Sequence, residues 1–212
     1  MMRQWILLLA LLFVLDHAPA FAVSPLFAKI DLLGYGWNKD EVTVAVAGGI
    51  PITEGLVSDV AAAVGDWNSV LTKVKGAPLL KVAAKPDADI TIFLTDRPAE
   101  KSGDTLDLGK ASLKSALAYS CVLDRVFITV HLQAFGRSYT HAGIRNVLRH
   151  ELGHALGLGH SNDPSDPMYA EAEPGMIFGK TDTEALPCHM KGLERIYPLR
   201  PYCDFPKSID CF

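Results

Sequence analysis

Three histidines and one glutamate fall within a single short run, His150-Glu151-Leu152-Gly153-His154-Ala155-Leu156-Gly157-Leu158-Gly159-His160. At 3.6 residues per turn, His150 and His154 stack on one face of an α-helix. Two neutral imidazoles so placed can share one tetrahedral zinc ion at roughly 2.0–2.1 Å. Glu151 stands one step round the helix, too close in sequence to be a third ligand but placed to touch water in the fourth coordination position. Gly157 can adopt a positive φ, end the helix and return the chain so that His160 approaches the ion from another side. Three protein ligands with an open fourth position distinguish a catalytic zinc site from a closed structural one. The chemistry of such a centre is metal-assisted hydrolysis, with Glu151 as general base and the metal polarising a carbonyl.

The run matches the extended signature H-E-x-x-H-x-x-G-x-x-H of the metzincins. Ser161 directly after the third His, and Asp166-Pro167-Met168-Tyr169 with its Met eight residues after that His, resemble the matrixins, the matrix-metalloproteinase branch. That resemblance implies a tight turn in which Met168 forms an apolar floor beneath the zinc. Tyr169 would then line a wall of the primed-side substrate pocket. Astacin- and serralysin-like members place a Tyr two residues after that Met; here the position is Ala170. Archaemetzincins carry a Cys after the third His, where this chain has Ser161. The implied fold is α+β and metzincin-like: a twisted mixed sheet of about five strands with two long helices, the active-site helix leading into the Met-turn and then a C-terminal helix. The order of elements follows this pattern over most of the chain, and residues 147–169 are the strongly diagnostic part. The propeptide motif P-R-C-G-x-P-D of animal matrixins does not occur in the sequence, so no cysteine switch is expected; a hemopexin-like domain is not expected either.

Elements that could position these side chains follow from periodicity. Valines at every second position in Glu41–Ala47 predict a strand, broken by Gly48-Gly49-Ile50-Pro51. Thr53 is placed to cap a helix through about Leu71, with Leu56, Val60, Val64, Trp67 and Leu71 at helical spacing, which makes Trp67 a core residue rather than a ligand platform. Leu79–Ala84 and Asp89–Leu94 read as strands, the latter similar to the third strand of matrixins. The polar stretch Arg97–Gly109 reads as a surface loop. Ser115–Cys121 and Arg125–His131 read as two more strands, with the turn near Val122-Leu123-Asp124. Thr140 can cap the active-site helix, whose stripe Ile144, Val147, Leu148 precedes the first ligand. A last helix is expected from Pro187 to Tyr197.

The 212 residues begin with Arg3 and an apolar run, Trp5–Leu15, ended by Asp16-His17. Ala20-Phe21-Ala22 then offers small residues where a signal peptidase reads, so residues 1–22 are expected to be a secretory signal cleaved after Ala22, with Ala20 as the alternative. The run is about half the ~20 residues a membrane crossing needs. An uncleaved anchor is the competing reading, and no stable membrane anchor is expected after cleavage. Residues 23–212 amount to one catalytic domain. A net charge of −4 with no basic run argues against a nucleic-acid partner. Four cysteines, Cys121, Cys188, Cys203 and Cys211, suggest two disulfides in an exported protein. Three connectivities are open; Cys203–Cys211 with Cys121–Cys188 is one arrangement the spacing allows.

Other groups point nowhere definite. His141 reads as a solvent-facing or capping residue, His131 ends a strand and His189 lies in the last helix. The Asp-plus-three-His cluster that holds a structural zinc in matrixins is not found. Calcium is unsupported: Asp104, Asp107, Asp163 and Asp166 are acidic but lack calcium-loop spacing. The reading is therefore a secreted zinc metalloendopeptidase acting on protein or peptide substrates through one catalytic Zn2+. A catalytically weak exported binding module of the same fold, or an aminopeptidase, are the alternatives. An intact Glu151 tells against the first, and no group to hold a substrate N-terminus is seen for the second.

Overall fold

The computed structural model describes residues 28–84, 87–102, 105–115, 121–170, 177, 179, 187–198 and 206–211. The expected signal segment, Cys203 and Asp104 lie outside them. Four strands run parallel, β2 (Glu41–Gly48), β3 (Leu79–Val82), β4 (Ile90–Thr95) and β8 (Leu123–His131), and β7 (Gly109–Ser115) joins them antiparallel. The order is β3-β2-β4-β8-β7, so among the described residues β7 is an edge and the one antiparallel member of this sheet. This is the α+β, mixed five-stranded architecture that the sequence implied.

Alternation explains which face is covered. Val42, Val44, Ile90, Ile92, Leu94, Val126, Ile128 and Val130 are buried, whereas Phe93 and Phe127 on the other face stay partly exposed. Against the apolar face pack α1 (Glu54–Leu71), capped by the Thr53 side chain, and α2 (His141–Ala155), capped by Thr140. Their apolar stripes, Leu56, Val60, Val64 and Trp67 on one and Ile144, Val147, Leu148 and Leu152 on the other, belong to the same core. The two helices are also tied by charge. Buried Asp59 accepts from Arg145 at 2.9 Å and faces His141 Nδ1 at 2.6 Å, and Arg149 Nε donates to Asp66 at 2.6 Å. His141, expected to face solvent or to cap, is thus partnered although its ring remains largely exposed.

Several expectations are corrected. Within the stretch read as a loop, β5 (Glu100–Ser102) and β6 (Thr105–Asp107) form an antiparallel pair. The strand expected at Ser115–Cys121 falls largely on residues 116–120, outside the described set; the strand paired antiparallel with β8 is Gly109–Ser115. The strand expected to reach Ala84 stops at Val82. Pairing of β8 begins at Leu123, within the stretch Val122-Leu123-Asp124 whose sequence reads as a turn.

A second sheet was not anticipated at all. Strand β1 (Lys29–Leu32) sits between β11 (Leu158–Ser161) and β12 (Ser208–Asp210), antiparallel to both. Its four residues are too short a run for a period-two signal. The last helix, α3 (Pro187–Ile196), packs against it and closes the core with Leu193 and Ile196. Cys188 on α3 is bonded to Cys211 just after β12, with Cα atoms 4.8 Å apart. This rules out both Cys203–Cys211 and Cys121–Cys188; Cys121 is disulfide-bonded as well. Register with β1 brings Cys211 to α3, which spacing along the chain does not encode. Among the described residues, no helix is long and apolar enough to cross a membrane.

Candidate metal centre

Helix α2 carries His150, Glu151 and His154 and ends directly after them. Its last carbonyls are satisfied by distant side chains: Trp37 Nε1 donates to Ala155 O at 2.8 Å and Tyr197 Oη to Leu156 O at 2.9 Å. Gly157 then takes φ +99°, and a Cβ there would collide with the Tyr35 carbonyl oxygen, so a larger residue is excluded twice over. The reversal sends the chain into β11, where pairing with β1 fixes His160. Among the described residues, His150, His154 and His160 are the one group of three or more metal-binding side chains, with ligand atoms all within 4.8 Å of one another.

Hydrogen bonding decides which ring nitrogens face inward. His150 Nδ1 lies 2.7 Å from Pro167 O, and His154 Nδ1 lies 2.8 Å from Leu158 O. A carbonyl only accepts, so each Nδ1 carries the proton and each Nε2 presents a lone pair. Those two Nε2 atoms stand 3.0 Å apart. Two lone pairs at that distance repel unless a cation lies between them. Tetrahedral zinc at about 2.05 Å from each nitrogen would set them about 3.3 Å apart, close to what is found. The residues therefore fit a zinc ion, with backbone carbonyls as the outer partners that orient the rings.

Electrostatics agree with neutral, ligand-ready imidazoles. Burial pushes the His150 pKa down to about 4, a shift reinforced by His160 and opposed by the Pro167 hydrogen bond and Asp166. Burial and then the neighbouring His150 push His154 to about 3. His160, the most exposed of the three, is also lowered by burial, with Asp31 on β1 acting in the opposite direction.

Glu151, next to His150 in the sequence of α2, is buried. Its carboxylate lies against β7: a Cβ added at Gly109 would come 2.8 Å from Glu151 Oε1 and 3.0 Å from its Cγ. The sheet edge thus passes next to the carboxylate, and a side chain at position 109 would have to displace it. Gly109 closed a polar stretch in the sequence and carried no signal of this role. Met168 is fully buried beneath Gly153, where a Cβ would overlap its sulfur. Ser161 N donates to Met168 O at 2.8 Å, so the turn is pinned to the segment carrying His160. Tyr169 follows, its N–H donating to Asp166 O at 3.0 Å and its backbone bridged to Ser161.

The remaining candidates are otherwise engaged. Asp163 accepts from the backbone and hydroxyl of Ser165, and Asp166 accepts from Met168 N at 2.7 Å. These two carboxylates, weighed for calcium, shape the turn instead. His131 Nδ1 lies 2.9 Å from Arg97 O. A cavity between α3 and β12, lined by Lys191, Glu194, Arg195 and Asp210, carries both signs of charge and lies apart from the histidines.

The sequence model of the matrixin family, a peptidase family, matches residues 36–185. No curated protein matches the chain. The match contains α1, the five-stranded sheet, α2 and the turn around Met168; β1, α3 and β12 fall outside it.

Proposed function

This chain belongs to the matrixin family of metallopeptidases, and from that premise we propose that it is a secreted zinc-dependent endopeptidase with Glu151 as its general base. The observation that carries the reading is the pair of Nε2 lone pairs facing each other at 3.0 Å on the helix that also carries the buried Glu151. His150, His154 and His160 would hold the ion. Zinc bound there would supply Lewis-acid polarisation of the scissile carbonyl and a lowered pKa for water. Glu151 takes a proton from the attacking water and returns it to the departing amine nitrogen. Its burial excludes bulk solvent from the carboxylate and keeps that proton local. Met168 packs under α2 and leaves the imidazoles to do the ligation, since a thioether competes poorly for zinc.

Cleavage within a chain, rather than at its end, is favoured by β7. It is an edge strand, antiparallel to β8, and its Gly109 touches the general base. An extended peptide can add to such an edge by main-chain hydrogen bonds and present an internal bond to Glu151. Export is supported by the Cys188–Cys211 bond, which persists in oxidising compartments, together with the apolar N-terminal run.

The test is Glu151→Ala in the processed protein. Zinc content by elemental analysis should remain near one per chain while cleavage of a fluorogenic peptide library falls to background. Cleavage at the wild-type rate by that variant removes Glu151 from the mechanism. Zinc-independent cleavage, insensitive to a chelator, removes the metal.

A further inference from the structure

Helix α3 carries one fully buried imidazole, His189, that the reaction does not use. Its Nε2 lies 2.5 Å from Asp166 Oδ1, and both side chains are sealed from solvent. The same Oδ1 accepts from Met168 N at 2.7 Å, and the Asp166 carbonyl accepts from Tyr169 N at 3.0 Å. Asp166 is therefore the hub of the turn 166–169. Between its two ends lies Pro167, whose carbonyl is the partner of His150 Nδ1 at 2.7 Å. The Trp67 ring, 5.4 Å from the His189 ring, limits the space into which that imidazole could swing.

We propose that His189 is a positioning residue of the metal centre, acting through Asp166 and the Pro167 carbonyl to hold the His150 ring in its ligating orientation. This rests on the reading that His150, His154 and His160 bind the metal. The physical ground is the cost of disorder in a dry site. A buried carboxylate must keep its donors, so Asp166 has one low-energy orientation, set from outside the turn by His189 and from inside by Met168 N. That orientation fixes the peptide planes on either side of Pro167, and hence where its carbonyl points. The ring of a ligating histidine is oriented by the group its other nitrogen binds. His189, on α3, lies beyond residues 36–185, the part of the chain matched by the family model.

The experiment uses the processed full-length protein stripped of metal, with Zn2+ titrated against a chromophoric chelator and Co2+ used as a spectroscopic probe. His189→Met removes the donor while keeping apolar bulk. His189→Gln keeps an N–H able to reach Asp166. The double variant Asp166→Ala/His189→Met removes both members of the buried pair, so it regains part of the stability lost in His189→Met while still leaving Met168 N without its side-chain acceptor. The expected result is zinc affinity weakened about 10–100-fold in His189→Met, with a shifted Co2+ visible band and kcat reduced more than KM. His189→Gln, which keeps a donor for Asp166, should lose less than about 10-fold, short of the loss expected of His189→Met. The double variant should be more stable than His189→Met yet still bind metal weakly. Wild-type affinity and an unchanged Co2+ band in either the folded His189→Met protein or the double variant overturn the proposal. A wild-type protein that binds no zinc, or a His150→Ala variant that binds it equally well, would instead overturn the ligand assignment beneath it.

Discussion

Gly109→Ala separates the chemistry from the fold more sharply than removal of any charged group. A methyl group at this position would stand 2.8 Å from Glu151 Oε1, 3.0 Å from Cγ and 3.1 Å from Cδ, against about 3.4 Å for an ordinary contact. Relief requires the carboxylate end to move by about 0.6 Å, the difference of those two distances at Oε1. Misplacing a reacting group by about 1 Å costs on the order of a hundredfold in rate. Scaled logarithmically, 0.6 Å corresponds to about fifteenfold, or about 1.6 kcal/mol of activation free energy. The displaced atoms belong to the end of a flexible side chain, so the fold can absorb the change. Replacing Gly by Ala in an extended edge strand also restricts the unfolded chain, which contributes about 0.4–1 kcal/mol in the stabilising direction. Activity and stability should therefore move in opposite senses. Steady-state kinetics on a fluorogenic peptide should show kcat reduced by about an order of magnitude, with zinc content unchanged and the thermal midpoint equal or higher. Undiminished kcat would refute the placement of Glu151 against β7. Loss of zinc would show that the metal centre, rather than the carboxylate, had absorbed the strain.

Other outcomes follow from the same geometry. Gly157→Ala must adopt φ +99° and collide with the Tyr35 carbonyl, so it should lose at least about 1–2 kcal/mol in urea denaturation and release zinc as β11 shifts. Normal zinc content in that variant would mean His160 is not held by this turn. Cys188→Ser/Cys211→Ser opens a link spanning 23 residues, for which chain entropy gives about 3 kcal/mol, measurable by the same denaturation under non-reducing conditions. In metal-free protein, burial holds the folded-state pKa values of His150 and His154 at about 4 and about 3, below the unfolded value near 6.5. The unfolded chain then binds more protons through this interval, so these groups' contribution to stability is complete above about pH 6.5 and is lost as pH falls toward 4 and 3. The thermal midpoint of the chelated protein should fall steadily from pH 7 to pH 4.5; a flat profile contradicts buried neutral imidazoles.

What the sequence by itself determined is local. Alternating valines specify β2, Thr53 and Thr140 start the two long helices, and the spacing of His150, Glu151 and His154 puts all three on one helix, because these depend on neighbours three or four residues away. Gly157 was equally readable, since a positive φ is a property of one residue. Tertiary structure alone decided the rest. His160 is placed by β1, more than a hundred residues earlier and too short to announce itself. Gly109 matters only because a strand edge folds against Glu151. Cys188 meets Cys211 rather than Cys121 because β12 pairs with β1. Asp166, acidic and available in the sequence, is committed to His189 by the packing of α3. In each case the deciding contact is long-range, and no local spacing carries it.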